Sequence, residues 1–421
     1  PSVEQEVDKC IECGYCEHKC PSRDVTLTPR QRIVVRRELA LLKTAGKHDQ
    51  YAELVAQYQY DGLDTCAVDG LCATSCPVDI NTGDLVKRLR RESHSSFSNK
   101  VALAVSKNFR AVIIMVNFAL EVGALMNSVF GRNTMSGLTR IIKKVIPEFP
   151  LWSNQLISSG AISGKYVKTI NQDTANGPAV VYFPTCISRV MGGATDKRNI
   201  PDTFLSVSQK SGIQVIIPEG VGALCCGQLF SSKGYNLAYA DKCNETIDNL
   251  WVVSNEGMLP IILDVTSCSH TLQTCRPILN EVNKKRFDRL TILDSIDYLH
   301  DYVIPACGPV EKKGTVVVHP VCSLQKMGLE RKFVAVASHF SEKTDVPIHS
   351  GCCGMAGDRG FIFPELTASA TAPEAKEVQK NDYEGYYSSG KTCEIALSDA
   401  VGKSYESVLY LADECIKEKS K

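Results

Sequence analysis

Helix-like and strand-like patterns of apolar residues divide the chain. TPRQRIVVRRELALLKTAG reads as a helix with Thr28 as cap, Pro29 in its first turn and Gly46 just past its end. NTGDLVKRLRRE repeats the scheme, with Asn81 or Thr82 as cap and Asp84 in the first turn. Past residue 175, short β-branched runs (VVYFP, IQVIIP, LPIILDV, TVVVHP) alternate with helix-like NLAYADKCNETIDNLW and SYESVLYLADECIKE. That alternation predicts α/β lobes with parallel sheets, whose sites lie in loops beyond the strand ends.

Between these regions, from Ser93 to about Ala175, apolar helical stretches are broken by Gly, Ser and Pro, a pattern predicting a helical connector. Its most apolar segment, Ala111 to Phe130, carries Asn117 and Glu121 and is flanked by Lys107 and Arg110. A membrane span needs about 20 nearly unbroken apolar residues, so a buried or interface helix is expected here. Arg36, Arg37, Lys87, Arg88, Arg90 and Arg91 are expected on solvated helix faces.

The strand-rich half is one sentence written twice. VVYFPTC, ending at Cys186, is answered by VVVHPVC, ending at Cys322. LCCGQLFSSKG, with Cys225 and Cys226, is answered by GCCGMAGDRGF, with Cys352 and Cys353. TSC at Cys268 is answered by KTC at Cys393. The repetition predicts two similar lobes. The four regions expected are a helical module over 1–95, the connector over 96–175, and α/β lobes over 176–310 and 311–421.

Cysteine spacing supplies the chemistry. CIECGYCEHKCP places Cys10, Cys13, Cys16 and Cys20 before Pro21 in a full bacterial-type iron–sulfur run, in which three thiolates hold one cluster and the fourth reaches toward another. CAVDGLCATSCP repeats the spacing with Cys66, Cys72 and Cys76, but Asp69 stands where the second cysteine belongs. Exchange of the fourth ligands predicts Cys10, Cys13, Cys16 and Cys76 around a 4Fe-4S cluster. It predicts Cys20, Cys66 and Cys72 around a second cluster with Asp69 at the odd corner. That corner is either vacant, leaving a 3Fe-4S cluster, or an Asp-ligated 4Fe-4S cluster; a hard oxygen competes poorly with thiolate for such iron, which favours the vacancy. Helices between and after the loops argue for an α-helical two-cluster ferredoxin rather than one built of hairpins.

In the lobes, Cys186, Cys225, Cys226 and Cys268, and then Cys322, Cys352, Cys353 and Cys393, could each hold a tetrahedral zinc. Vicinal thiolates more easily embrace a larger iron–sulfur cluster, which is favoured. Gly227 and Gly354 suit close backbone approach to such a group or a turn with positive φ. His270 and His349 are near enough in sequence to assist. Cys243, Cys275, Cys307 and Cys415 fit no repeat position and are expected to be buried, inert thiols.

Composition narrows the setting. The 421 residues allow two or three domains, and 47 basic against 47 acidic residues give no broad net field toward nucleic acid or an anionic membrane. Nineteen cysteines at metal-ligand spacings in so long a chain predict a reducing cytoplasm rather than a disulfide scaffold. The start at Pro1, with no leader-like pattern, predicts a fragment rather than a secretory precursor. No G-x-G-x-x-G, P-loop or H-E-x-x-H motif occurs, and GMAGDRG lacks the preceding strand of a dinucleotide site.

The phrases CIECGYCEHKCPSRD and YQYDGLDTCAVDGLCATSCPVDINTGDLV, with the paired CCG motifs, resemble the C-terminal iron–sulfur half of FAD-dependent D-2-hydroxy-acid dehydrogenases of the D-lactate and D-2-hydroxyglutarate types. The chain is also similar to the iron–sulfur subunits of glycolate oxidase and anaerobic glycerol-3-phosphate dehydrogenase, and more distantly to the CCG-bearing subunit of heterodisulfide reductase. The resemblance implies a relay from FAD, on a missing N-terminal region or a partner subunit, to a quinone or another acceptor. It implies a cytoplasmic protein, with peripheral association at the inner face of the membrane left open. One departure concerns the lobes: the full CCG motif of the heterodisulfide reductase type ends C-x-x-C, whereas Thr271 and Ala396 stand three places after Cys268 and Cys393. The competing functions are a CCG-type disulfide reductase and, further off, a zinc-binding structural protein.

Overall fold

The computed structural model describes residues 3–158, 178–193 and 197–417; the end of the expected connector, 159–175, lies outside them. The first hundred residues are helical. Pro29–Thr44 starts with a capping box in which Thr28 and Gln31 satisfy each other's backbone N–H groups. Thr82–Ser93 is capped by Asn81, whose side-chain oxygen accepts from the amides of Gly83 and Asp84. Val3, Val7, Ile33, Leu39, Leu85, Val86 and Leu89 form the core of this module.

The strand-rich half contains two four-stranded parallel sheets of identical topology. The first orders its strands β2-β1-β3-β4, with β1 Ala179–Phe183, β2 Gln214–Ile216, β3 Ile261–Leu263 and β4 Ile292–Asp294. The second orders them β6-β5-β7-β8, with β5 Lys313–His319, β6 Ser341–Asp345, β7 Gly385–Ser388 and β8 Tyr405–Ser407. The sequence repeat is therefore a structural one, and Cys186 and Cys322 each open the helix that follows the first strand of their sheet. The β-branched runs of β1 and β5 are central and covered on both faces, as parallel strands require.

Two expectations change. SYESVLYLADECIKE splits into β8 and the helix Val408–Cys415, because Ser407 caps the amide of Leu409 and ends the strand. The apolar segment of the connector is one helix, Phe109–Phe130, and of the two places expected for it, burial or an interface, burial is not met: only 17% of its most apolar window is covered. Phe109, Leu120 and Gly123 pack inward, and the opposite side faces out.

Asp294, at the end of β4, is fully buried, accepting from the Ser269 hydroxyl at 2.6 Å and the Ile296 amide at 2.9 Å. Burial raises its pKa to about 6. The folded lobe therefore holds this proton above the pH at which an unfolded aspartate loses it. Stability from this group is full below about pH 4 and declines as pH rises through 6, by up to about 3 kcal/mol. Chemical unfolding from pH 4 to 7 should show the wild type losing stability relative to Asp294→Asn by that order; parallel curves would refute the assignment.

Candidate iron–sulfur centres

The two cysteine runs have the same backbone. Glu12 and Val68 occupy the same place in each run, as do Gly14 and Gly70, and all four have positive φ, from 47° to 81°. A β-branched valine there is strained. Such turns curl three successive ligand positions toward one point, and strain of this kind collects at functional sites.

Cys10, Cys13, Cys16 and Cys76 line one hollow of about 360 Å³ together with Ile33, Val78 and Ile80. Cys20, Cys66, Asp69 and Cys72 line a second of about 280 Å³. Each run thus contributes its last cysteine to the other's hollow. Burial pushes the Cys16 thiol up to about 11, and burial together with the Asp69 and Cys66 charges pushes Cys72 up to about 12. These sulfurs become thiolates near neutral pH only if a cation, such as an iron core, faces them.

Asp69 occupies the place that Cys13 holds in the first run, but its surroundings differ. Cys13 is exposed, whereas Asp69 is half-buried and its pKa is raised by that burial. One carboxylate oxygen accepts from the Leu71 amide at 2.7 Å, and the side chain is also hydrogen-bonded to Cys352 of the second lobe.

Arg32 carries no motif in sequence, being one arginine amid a basic helix. Its side chain is completely buried and donates to the Gly62 carbonyl at 2.7 Å, the Ser22 hydroxyl at 2.8 Å and Cys20 Sγ at 3.5 Å. A guanidinium among Cys20 and Cys66 is a resident counter-ion for an anionic sulfur site. Arg90, expected on a solvated face, is buried instead and donates to the carbonyls of Leu63, Cys66 and Ser232, tying the second run to the first lobe. Arg37 likewise turns inward, to the carbonyls of Val7 and Cys10.

In the first lobe the four free thiols form one chain, buried except at half-buried Cys186: Cys186 meets Cys225 Sγ to Sγ at 3.4 Å, Cys225 is hydrogen-bonded to Cys226, and Cys226 to Cys268. Arg189 is 2% exposed beside them. One of its terminal nitrogens donates to the Leu224 carbonyl at 2.6 Å, while Nε and Nη1 have no hydrogen-bond partner among the described residues. Buried, unsatisfied cationic N–H groups beside four thiols fit an anionic group held by those thiols. In the second lobe Cys353 donates to Cys393 at 2.8 Å, and the free thiol of Cys352 is hydrogen-bonded to Cys322 and to Asp69. Gln325 takes the place of Arg189 there and donates to the Pro320 carbonyl.

Gly227 and Gly354 both adopt positive φ, and an added Cβ would lie 2.6 Å from Tyr239 or 2.9 Å from the Leu366 carbonyl. Both glycines therefore serve the turn and the packing behind it. His349 pairs with Glu377 at 2.8 Å in an exposed position. His270 is lowered to about 4 by burial and by Lys326 and Lys87, so its imidazole is neutral. Of the cysteines outside the repeat, Cys243, Cys275 and Cys415 are buried, while Cys307 is half-buried; Cys243 lies 3.5 Å from the Cys226 carbonyl, directly behind the first lobe's site.

The second hollow adjoins the second lobe. Ala67, Leu71 and Cys352 form a small apolar cluster with Cys322 and Ala356 packed against it. Lys326 Nζ donates to the Asp69 carbonyl at 2.9 Å, Arg359 to the Asp64 carbonyl at 2.5 Å, and the Tyr60 hydroxyl to Glu365 at 2.6 Å. The first lobe meets the helical module elsewhere, through Arg90 and through His94 stacked on Tyr235 at 4.0 Å.

Residues 6–80 match the family model of the 4Fe-4S dicluster domain, and residues 180–273 match that of the CCG cysteine-rich domain. The chain is 23% identical over 406 residues to one of the subunits of the fumarate reductase (CoM/CoB) of Methanothermobacter marburgensis, covering 94% of this chain and 68% of that one. It is 19% identical over 405 residues to an uncharacterized iron-sulfur protein of Methanocaldococcus jannaschii, covering 96% and 70%. The chain is an iron–sulfur electron-transfer protein that joins a dicluster module to a CCG module.

Replacing Arg32 by Met would leave the Gly62 carbonyl and Ser22 hydroxyl without their donor and remove the buried cation. It should cost about 2–4 kcal/mol and make reduction of the adjacent cluster harder. Denaturant unfolding and a potentiometric titration followed by electron paramagnetic resonance measure the two effects; an unmoved potential would show that Arg32 is only structural.

Proposed function

We propose that this chain is the electron-carrying subunit of an oxidoreductase of the CCG disulfide-reductase type, linking a redox partner subunit to a thiol–disulfide couple. The observation that carries this is the contact between Asp69, at the second hollow, and Cys352 of the vicinal pair in the second lobe. It makes the order of sites first hollow, second hollow, second lobe. The similarity along nearly the whole chain to a subunit named for fumarate and CoM/CoB supports the same reading.

Cys10, Cys13, Cys16 and Cys76 would hold a 4Fe-4S cluster, and Cys20, Cys66 and Cys72 a 3Fe-4S cluster. Asp69 is left off the iron because its carboxylate is already engaged by the Leu71 amide and by Cys352. Each lobe's four cysteines would hold an iron–sulfur cluster, because a vicinal thiolate pair embraces a larger body more easily than a single small ion. Such clusters supply reversible one-electron oxidation and reduction. The chain's own residues supply the rest: Arg32 and Arg189 balance charge, Ala67 and Leu71 exclude water between the second hollow and the second lobe, and Lys326 pins the two parts together. Reduction of a disulfide takes two electrons and two protons and releases two thiols. With Thr271 bonded to Gln228 and Ala396 buried, each lobe keeps four thiols instead of five.

A second reading keeps the flavin-linked D-2-hydroxy-acid dehydrogenase, with FAD on a partner or a further region and a quinone as acceptor. The phrase around Asp69 favours it.

The test is anaerobic. The oxidised holoprotein should show a near-isotropic resonance that vanishes on reduction, and Asp69→Cys should replace it with a signal of the four-iron type; its absence from the wild type would place Asp69 on the iron. The protein with its partner subunit should oxidise reduced viologen only when a disulfide is added, and Cys353→Ser should cut that rate at least tenfold. Bleaching by D-lactate or D-2-hydroxyglutarate, with no disulfide turnover, would overturn this reading in favour of the second.

A further inference from the structure

Three successive helices leave large apolar side chains in water. On Phe109–Phe130, Ile114, Met115, Phe118, Val122, Leu125 and Val129 are all exposed, several by more than half. At 100° per residue they fall within an arc of about 100°, opposite the side that packs inward through Phe109, Leu120 and Gly123. Glu121 stands at the edge of that arc, not within it. On Thr134–Val145, Leu138, Ile141 and Val145 repeat the arrangement, with Arg140 and Lys144 on the other side. On Ser96–Lys107, Phe97 and Val101 do so again. The helices pack consecutively on one another, and Trp152 wedges against Gly123 to hold the middle one.

Solvated apolar area on this scale is not left bare by folded proteins. Charge identifies what covers it. In a chain without net charge, residues 96–146 contain seven basic residues and a single acid, Glu121. Lys100, Lys107, Arg110, Arg132, Arg140 and Lys144 are all exposed. Basic ends around apolar stripes are the composition of helices that lie in the boundary of an anionic bilayer. A spanning orientation would carry Glu121 and Asn117 through hydrocarbon and strip away the packing of Phe109 and Leu120.

We propose that residues 96–146 form an interfacial docking surface for an anionic lipid membrane, with Phe118 and Leu125 among the inserted side chains and Arg140 and Lys144 against the headgroups. The surface sets the iron–sulfur sites beside the bilayer without spanning it. It does not depend on which substrate the lobes serve.

Vesicle flotation of the full chain with its iron loaded tests this. Vesicles with a third of their lipid as phosphatidylglycerol should carry the protein at least tenfold better than pure phosphatidylcholine, with most of that gain lost at 0.5 M salt. Phe118→Asp with Leu125→Asp should reduce the binding at least tenfold, and Arg140→Gln with Lys144→Gln should weaken it and flatten its salt dependence. Both variants should keep the wild-type iron content and visible absorption, which shows that they fold. No flotation, or flotation that both variants retain, would overturn the proposal. So would a dimer, seen by light scattering, that the Phe118→Asp and Leu125→Asp pair dissociates, since the surface would then be covered by a second copy.

Discussion

A sulfur-ligated iron centre brings negative charge into a protein interior, and desolvating that charge is costly unless cations are placed beside it. The molecule is arranged around this constraint. Arg32 sits at the second hollow, Arg90 grips the carbonyls of the second cysteine run, Arg189 backs the first lobe, and Lys326 stands between Asp69 and the second lobe. None of these cations is a ligand. Each is fixed by hydrogen bonds to backbone carbonyls or to a neighbouring hydroxyl, so that its charge stays where burial makes it count.

The same residues hold the parts of the molecule to one another. Arg90 reaches from the helical module to Ser232 in the first lobe, and Lys326 reaches from the second lobe back to Asp69. Charge compensation and domain docking are thus one set of contacts. The lobes share topology and the placement of four cysteines but not this environment: Arg189 has Gln325 as its counterpart, and among the described residues it is the second lobe that touches Asp69. Internal repetition produced two similar frames, and contact with the helical module made them unequal.

Strand patterns were readable where the strands are central. VVYFP and TVVVHP are covered on both faces and therefore read as continuous apolar runs. Edge strand β6, SEKTD, is polar because one side meets water, and β4 and β8 are three residues each, too short to carry a period. For Phe109–Phe130 the sequence left burial and an interface open, and burial is not met: apolarity implies burial only when a protein interior is the sole refuge from water, and this helix turns its apolar side outward.

The chemistry is legible in the chain alone. Cysteine spacing names iron–sulfur sites because ligand geometry is local, set by turns of three or four residues, and the doubled VVxxPxC and CCG phrases announce two lobes. The surroundings of those sites came from packing. Arg32, Arg90 and Arg189 look in sequence like any basic residue on a helix, and Asp69 looks like a missing cysteine. The burial of those arginines, and the meeting of Asp69 with Cys352 across 283 positions of chain, are long-range outcomes of folding that no local pattern encodes.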